Sequence, residues 1–330
     1  MSNFCSRLVA GILVAQPILF HAPGVLAQTA QTYPSGPVKL VTPTASGGVT
    51  DLLARVTAGE LSKRLGVAVS VENRPGGSSS NKIGMAAVIA APPDGYTLLF
   101  GTSDGFVYPT ITPSPYDTDR DLRPIIKHIR VEAILAGQPN LKAASIKELV
   151  ALAKANPGKL SIASNGIGSS THLSGEMFKL ATGTNMLHVP YKASAQAFTD
   201  MIGGRLDLVV TGFAPIAPHV KSGVKVLASF GAKRNPAWVD VPTMRELGYP
   251  DLVVETWQGI LAPAATPEPI VLRLARDLDA IARSKNFEEQ MLKFGSVPDV
   301  EVLAEFAKAI KDERARWARV VKDANIQLIE

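Results

Sequence analysis

Apolar and polar positions along this chain follow two rhythms that take turns. Val38 to Thr42 is a short apolar run and predicts a strand; Asp51 to Leu65 places Leu53, Val56, Leu61 and Leu65 at helical spacing. Val67, Val69 and Val71 alternate as the next strand. Ile83 to Ala90 predicts a helix that Pro92 and Pro93 stop, because proline cannot continue the backbone ladder. Tyr96 to Phe100 predicts a buried strand ending at Gly101-Thr102-Ser103-Asp104-Gly105.

The pattern resumes after Asp117–Asp121. Ser145 to Ala155 predicts a helix with an N-cap serine and Glu148 three residues on, a capping box. Leu160 to Ser164 predicts a strand, followed by the Asn165–Thr171 loop and a helix with Leu173, Met177 and Leu180 on one face. Strands are expected at Leu187 to Val189, Leu206 to Val210, Val224 to Phe230 and Trp257 to Leu261, with a helix ending at Ile202. Further helices are expected from Pro267, at Asn286–Lys293 and at Glu301–Asp323. Strands alternating with helices imply mostly parallel sheets. Ligands of such sheets sit in a crevice at the carboxyl ends of strands. Two sets, split near Ile125–Ala136, predict an α/β protein of two lobes with the crevice between them.

Composition adds a compartment and removes some functions. Arg7 is the only charged residue before Lys39, Leu8 to Phe20 is mostly apolar, and Val25-Leu26-Ala27 has the small or aliphatic residues of a cleavage site before Gln28. This reads as an export signal (residues 1–27); the apolar run is shorter than the roughly 20 residues of a transmembrane span. Cys5, the only cysteine, lies ahead of the run, so no lipid anchor, disulfide or cysteine metal site is expected after cleavage. Net charge is +5 with both signs interspersed, which is not the clustered basic face of a nucleic-acid binder.

The chemistry lies in two loops. Thr44-Ala45-Ser46-Gly47-Gly48 leads from a strand into a helix, and its glycines let backbone approach a ligand closely. Helix starts carry unpaired N–H groups and partial positive charge, which favour a carboxylate by about 0.3–1 kcal/mol when exposed and up to ~2 when partly buried. The second loop, Ser164-Asn165-Gly166 with Ser169, Ser170 and Thr171, adds hydroxyl donors, although serine and threonine also cap helices for purely structural reasons. Ser103, Ala193, Gly212 and Phe213 are candidates for the distal end of the ligand. Gly166-Ile167-Gly168 lacks the third glycine and the following acidic residue of a dinucleotide site, and no phosphate-loop lysine is present. Ser79-Ser80-Asn81-Lys82 fits Ser-x-x-Lys without the Lys-Thr-Gly that would accompany it in penicillin-recognising enzymes. His128, His172, His188 and His219 show no metal-ligand spacing, so neither a metal nor a cofactor is expected.

Several motifs together carry a family resemblance. They are Gly47-Gly48-Val49-Thr50-Asp51, Val71-Glu72-Asn73-Arg74-Pro75-Gly76-Gly77, Pro93-Asp94-Gly95-Tyr96-Thr97, His188-Val189-Pro190-Tyr191-Lys192, Asp240-Val241-Pro242-Thr243 and Leu261-Ala262-Pro263. In this order the chain resembles the extracytoplasmic solute-binding proteins of the tripartite tricarboxylate transporter type, the Bug family, over almost its whole length after the signal. The resemblance implies a periplasmic two-lobe (type II-like) binding protein, with residues 28–130 and 231–330 in lobe 1 and 131–230 in lobe 2. It implies a monomer that closes on a small organic mono- or dicarboxylate, gripped between the loops at Thr44–Gly48 and Ser164–Thr171, and membrane transporter subunits as partners. It implies no catalysis; a secreted hydrolase using Ser79–Lys82 or His172, and a protein that docks on a sensor kinase, are the rival functions. Against the family pattern, Thr44 replaces a common aromatic, Ile167 a small or polar residue, and Thr211-Gly212 an Asp-Asn pair. Loss of that acid favours a plain carboxylate over an amino acid.

Overall fold

The computed structural model describes residues 33–76, 81–107, 114, 116–191 and 194–323; the export signal therefore lies outside the described residues. β1 (Val38–Thr42) buries every side chain but Lys39. α1 (Val49–Leu65) starts after Gly48 and ends at Gly66, whose left-handed φ of 72° turns its N–H onto the Ser62 carbonyl. There follow β2 (Val69–Asn73), α2 (Lys82–Ile89), β3 (Thr97–Thr102) and the short α3 (Ser103–Val107). α4 (Thr118–Asp121) is capped by the Asp117 carboxylate and runs into β4 (Leu122–Glu132), then β5 (Ile134–Gly137).

α5 (Ile146–Ala155) is capped by Ser145, and Glu148 reaches back to the Ala144 amide, the reciprocal arrangement the sequence predicts, displaced by one residue. β6 (Ser161–Ser164), α6 (Ser170–Thr182), β7 (Leu187–Pro190), α7 (Ser194–Ile202), β8 (Leu208–Thr211), α8 (Phe213–Val220) and β9 (Lys225–Ser229) complete this part. The chain closes with β10 (Glu255–Pro263), α9 (Glu268–Ala282), α10 (Lys285–Leu292), β11 (Val297–Val302) and α11 (Ala304–Asp323). Glu301 thus belongs to a strand, not to the last helix as its sequence context predicts. Val297 to Val302 alternates too weakly in polarity to announce itself, and pairing with β4 decides it.

Among the described residues the strands form two sheets, ordered β11-β4-β10-β3-β1-β2 and β7-β6-β8-β5-β9. Both are mixed, which corrects the expectation of mostly parallel sheets. β1 runs parallel to β2 and β3, whereas β10 is antiparallel to β3 and β4, and β11 antiparallel to β4. In the second sheet β6 is parallel to β7 and β8, and β5 antiparallel to β8 and β9. The cause is the route of the chain. It leaves the first sheet through β4 into β5, with only Ala133 between them, and returns from β9 to β10, so strands on the way out and back must oppose their neighbours. The two crossings lie side by side: Phe230 N–H donates to the Ala133 carbonyl at 2.8 Å, and Val254 N–H to Phe230 at 2.8 Å.

α11 straddles the halves. Phe306 and Ile310 pack with Val41, Leu99, Phe106 and Trp257 under the first sheet, while Trp317 joins a buried cluster with Leu149, Phe178 and Val210 of the second. Gly84 sets the approach of α2 to the end of β1. A Cβ there would lie 2.6 Å from Pro43 Cα and 3.0 Å from the Arg74 carbonyl oxygen, both backbone atoms. Gly84→Ala should therefore destabilise by about 1–3 kcal/mol, outweighing the gain of roughly 1 kcal/mol in helix propensity. A lower midpoint in urea denaturation checks it, and an unchanged or higher midpoint would contradict this packing.

Candidate ligand-binding site

Both candidate loops leave the carboxyl ends of parallel strands and enter helices: Thr44–Gly48 joins β1 to α1, and Asn165–Ser169 joins β6 to α6. Ala45 to Gly48 are exposed and Thr44 is half-buried. Gly47 has φ of 83°, a conformation a side chain would strain, and Gly48 is the N-cap of α1 without any side-chain cap. The loop itself is held from further on. Asp51, 2 % exposed, accepts from Gly47 N–H at 2.9 Å, the Ser46 hydroxyl at 3.3 Å, Asn73 Nδ2 at 2.9 Å and Arg55 Nε at 3.1 Å. Burial pushes the Asp51 carboxyl up, but the bonds from Arg55, Gly47 and Asn73 prevail and hold it below its ordinary value. The Gly47 amide, expected to face a ligand, is thus engaged by the chain's own carboxylate.

The Glu-Asn-Arg-Pro-Gly motif has a physical role here. Asn73 Nδ2 also holds the Thr44 carbonyl at 3.2 Å, and the Arg74 N–H donates to the Thr42 carbonyl at 2.9 Å, so the end of β2 braces the loop after β1. Asn73→Ala leaves Thr44 and Asp51 each one donor short and should cost about 1–3 kcal/mol, read as a lower melting temperature.

The second loop is held largely by its own hydroxyls. Ser169 caps α6 by accepting from His172 N–H at 3.2 Å, and Thr171 Oγ1 accepts from Asn165 N–H at 2.9 Å. The Ser164 hydroxyl pairs with His188 Nε2 at 2.7 Å, and Asn165 Oδ1 accepts from the Ser194 hydroxyl at 2.9 Å. Gly166 and Gly168 take positive φ of 112° and 78°. Ser170 is different. Its N–H points across to the other half and donates to Asp104 Oδ1 at 3.1 Å. Asp104 sits on α3, directly after the buried Ser103 at the carboxyl end of β3, the strand beside β1. The structure therefore joins the second loop to the Ser103–Asp104 strand end.

Of the remaining candidates, Gly212 is the N-cap of α8. Phe213 is corrected from crevice to core: it is 2 % exposed, its ring 5.0 Å from that of Trp238. The side chain of an α8 residue at that position serves the helix–sheet packing. Ala193, Ser79 and Ser80 lie outside the described residues.

His172, Glu176 and His188 come together under the second loop, their ligating atoms within 4.8 Å of one another, although His188 belongs to β7 and the other two to α6. Sequence spacing could not show this group. Its atoms have protein partners: Gly168 N–H donates to His172 Nδ1 at 3.1 Å, Lys179 Nζ lies 2.7 Å from Glu176, and Ser164 holds His188. With the Lys179 ammonium standing where a cation would neutralise Glu176, the group reads as a brace for the loop. Burial, aided by His172, lowers the His188 imidazole to about 4. A depressed histidine contributes stability that is present above its unfolded value near 6.5 and lost as pH falls through about 4. His188→Gln should therefore lose melting temperature less steeply than wild type between those pH values.

A cavity of about 320 Å³ opens elsewhere, between β4, β10, β11 and α11, lined among others by Lys127, Arg130, Trp257 and Glu313. Its Lys127 pairs with Asp299 and Glu301, and its Arg130 with Glu255, while Arg130 Nε and Glu301 Oε2 are buried without a hydrogen-bond partner.

Two α/β sheets joined by paired crossings, with donor-bearing helix starts at strand ends, define a two-lobe binding protein. Residues 53–326 match the family described as tripartite tricarboxylate transporter family receptor, TctC, and the chain belongs to that family. It is 35 % identical over 322 residues to Protein BugT of Bordetella pertussis, an alignment covering 96 % of this chain and 98 % of that one. The structure of the periplasmic binding protein BugD aligns at 34 % identity with a TM-score of 0.80, over 89 % of this chain and 99 % of its own. An R. palustris protein solved with adipate aligns at 33 % identity with a TM-score of 0.82, over 89 % of this chain and 99 % of its own. Among the described residues no helix is long and apolar enough to cross a membrane.

Proposed function

We propose that this receptor captures a small organic mono- or dicarboxylate between its two halves and hands it to membrane transporter subunits of the tripartite tricarboxylate type. The observation that carries the reading is Ser170. At the start of α6 it aims a backbone N–H and the positive end of the helix dipole at a carboxylate contributed by the opposite half. That is the geometry in which a ligand bridging both halves would favour the closed population. The adipate-bound relative supports the same ligand class.

In this reading Thr44, Ala45, Ser46, Gly47 and Gly48 line one side of the carboxylate, and Ser164, Asn165, Gly166, Ser169, Ser170 and Thr171 the other. Ser103 and Gly212 are assigned to the distal end, with Ala193 kept as a candidate from the sequence. The protein works as a periplasmic monomer released by cleavage after Ala27, and performs no chemistry on its ligand. A hydrolase using His172 gains no support: that ring is 5 % exposed and its Nδ1 already accepts from Gly168.

Ser170→Pro isolates the key donor. Ser170 is the first residue of α6, where proline is well tolerated, and Ser169 already has the extended backbone (φ −69°, ψ 158°) that precedes a proline. The variant should keep its fold by circular dichroism, melt lower because Asp104 loses its donor, at a cost of about 1–3 kcal/mol, and bind adipate about tenfold to hundredfold more weakly in calorimetry. Wild-type protein that binds neither adipate nor any other organic acid in a calorimetric panel would refute the carboxylate reading.

A further inference from the structure

We propose that Asp104 is a competitor built into the crevice: its carboxylate ties the two halves together by taking the Ser170 N–H, and a ligand carboxylate binds by displacing it. The inference rests on the carboxylate reading above, and it adds a residue that sets affinity and selects against surplus negative charge.

Three observations lead to it. First, Asp104 and Ser170 come from different sheets, α3 following β3 and α6 following β6, so their hydrogen bond of 3.1 Å is a link between halves and not a local cap. α6 already has its local cap in Ser169. Second, Asp104 is half-buried, and the protein packed round it pushes its carboxyl above the usual range. Only the Ser170 bonds work in the other direction, and no lysine or arginine among the described residues forms an ion pair with it. Third, a further acid lies close enough to interact. Glu313 of α11, bonded to the Nε1 atoms of Trp257 and Trp317, is raised to about 7, chiefly by burial and in part by the charge of Asp104.

A carboxylate in this position has the donor a ligand carboxylate needs and no cation to share. One backbone N–H cannot serve two carboxylates at once, and two like charges in a shielded crevice disfavour each other. Either Asp104 moves or the ligand stays out. Binding strength is then reduced by the fraction of molecules in which Asp104 holds Ser170, as for any protein whose competent state is partly populated. The rest of the short α3 is firmly packed, Phe106 against Trp257 with ring centroids 5.1 Å apart and Val107 in the second cluster, so the move is one of the half-buried Asp104 side chain alone.

The test compares wild type, Asp104→Asn and Asp104→Ala after exhaustive dialysis, by adipate calorimetry and by small-angle X-ray scattering, with circular dichroism to verify folding. Asp104→Ala should bind adipate about tenfold or more tightly than wild type, since it removes both the charge and the competing acceptor. Asp104→Asn keeps an oxygen acceptor for Ser170 without the charge and should fall between the two, which also protects the test should the alanine variant fail to fold. In the dialysed state the alanine variant should have the larger radius of gyration, because the tie between halves is gone. Wild-type or weaker adipate affinity in both variants overturns the proposal. Should wild type bind no organic acid, the carboxylate reading falls, and scattering alone decides the tie: superimposable curves for wild type and Asp104→Ala overturn it.

Discussion

The starts of α1 and α6 confront the same constraint: backbone N–H groups at a helix start have no partner inside the helix, and something must accept from them. At α1 the Asp51 carboxylate takes the Gly47 amide of the loop just ahead of the helix, backed by Asn73 and Arg55. At α6 the acceptor is Ser169 for the local turn and Asp104 for the Ser170 amide. The crevice is consequently not a bare array of donors awaiting an anion. The difference between the two internal carboxylates is informative. Asp51 is bound by four groups, one of them a cation, and holds the first loop in shape. Asp104 is hydrogen-bonded to Ser170 from the other half.

The route of the chain makes a movable crevice possible. The paired crossings at Ala133 and Phe230, the straddling α11 and Val107 of α3 are among the links between the sheets' cores. The crossings are side-by-side extended segments joined by a single backbone hydrogen bond of 2.8 Å between Phe230 and Ala133. Rotation about such a pair leaves each sheet's hydrogen-bond ladder intact, which is the usual basis of hinge closure. α11 limits the motion, because Trp317 and Phe306 are buried in different clusters and one rigid helix carries both.

Much of this was legible in the residues. Helix α1, the β6–loop–α6 unit and the capping box at Ser145 stand within a few residues of where periodicity and capping chemistry place them, because each depends on neighbours along the chain. Misreadings fall where long-range pairing decides. β4 interleaves Arg123, Lys127, His128 and Arg130 with apolar residues and gives no clean alternation, since both its neighbours are distant in sequence. α8 contains Pro215 and Pro218, which argue against a helix locally, yet burial of Phe213 and Ile216 sustains it.

The sequence alone determined that the chain alternates strands and helices, that two glycine- and serine-rich loops open helices at strand ends, and that its motifs place it in one receptor family. These are properties of short segments, written in spacing and turn chemistry. Tertiary structure decided the mixed strand directions, the withdrawal of Phe213 into the core, the meeting of His172 with His188, and above all the partner of each loop amide. Which carboxylate reaches Gly47 or Ser170 depends on side chains brought from 4 and 66 residues away. A local pattern can announce an unpaired donor, but only the folded chain supplies its acceptor.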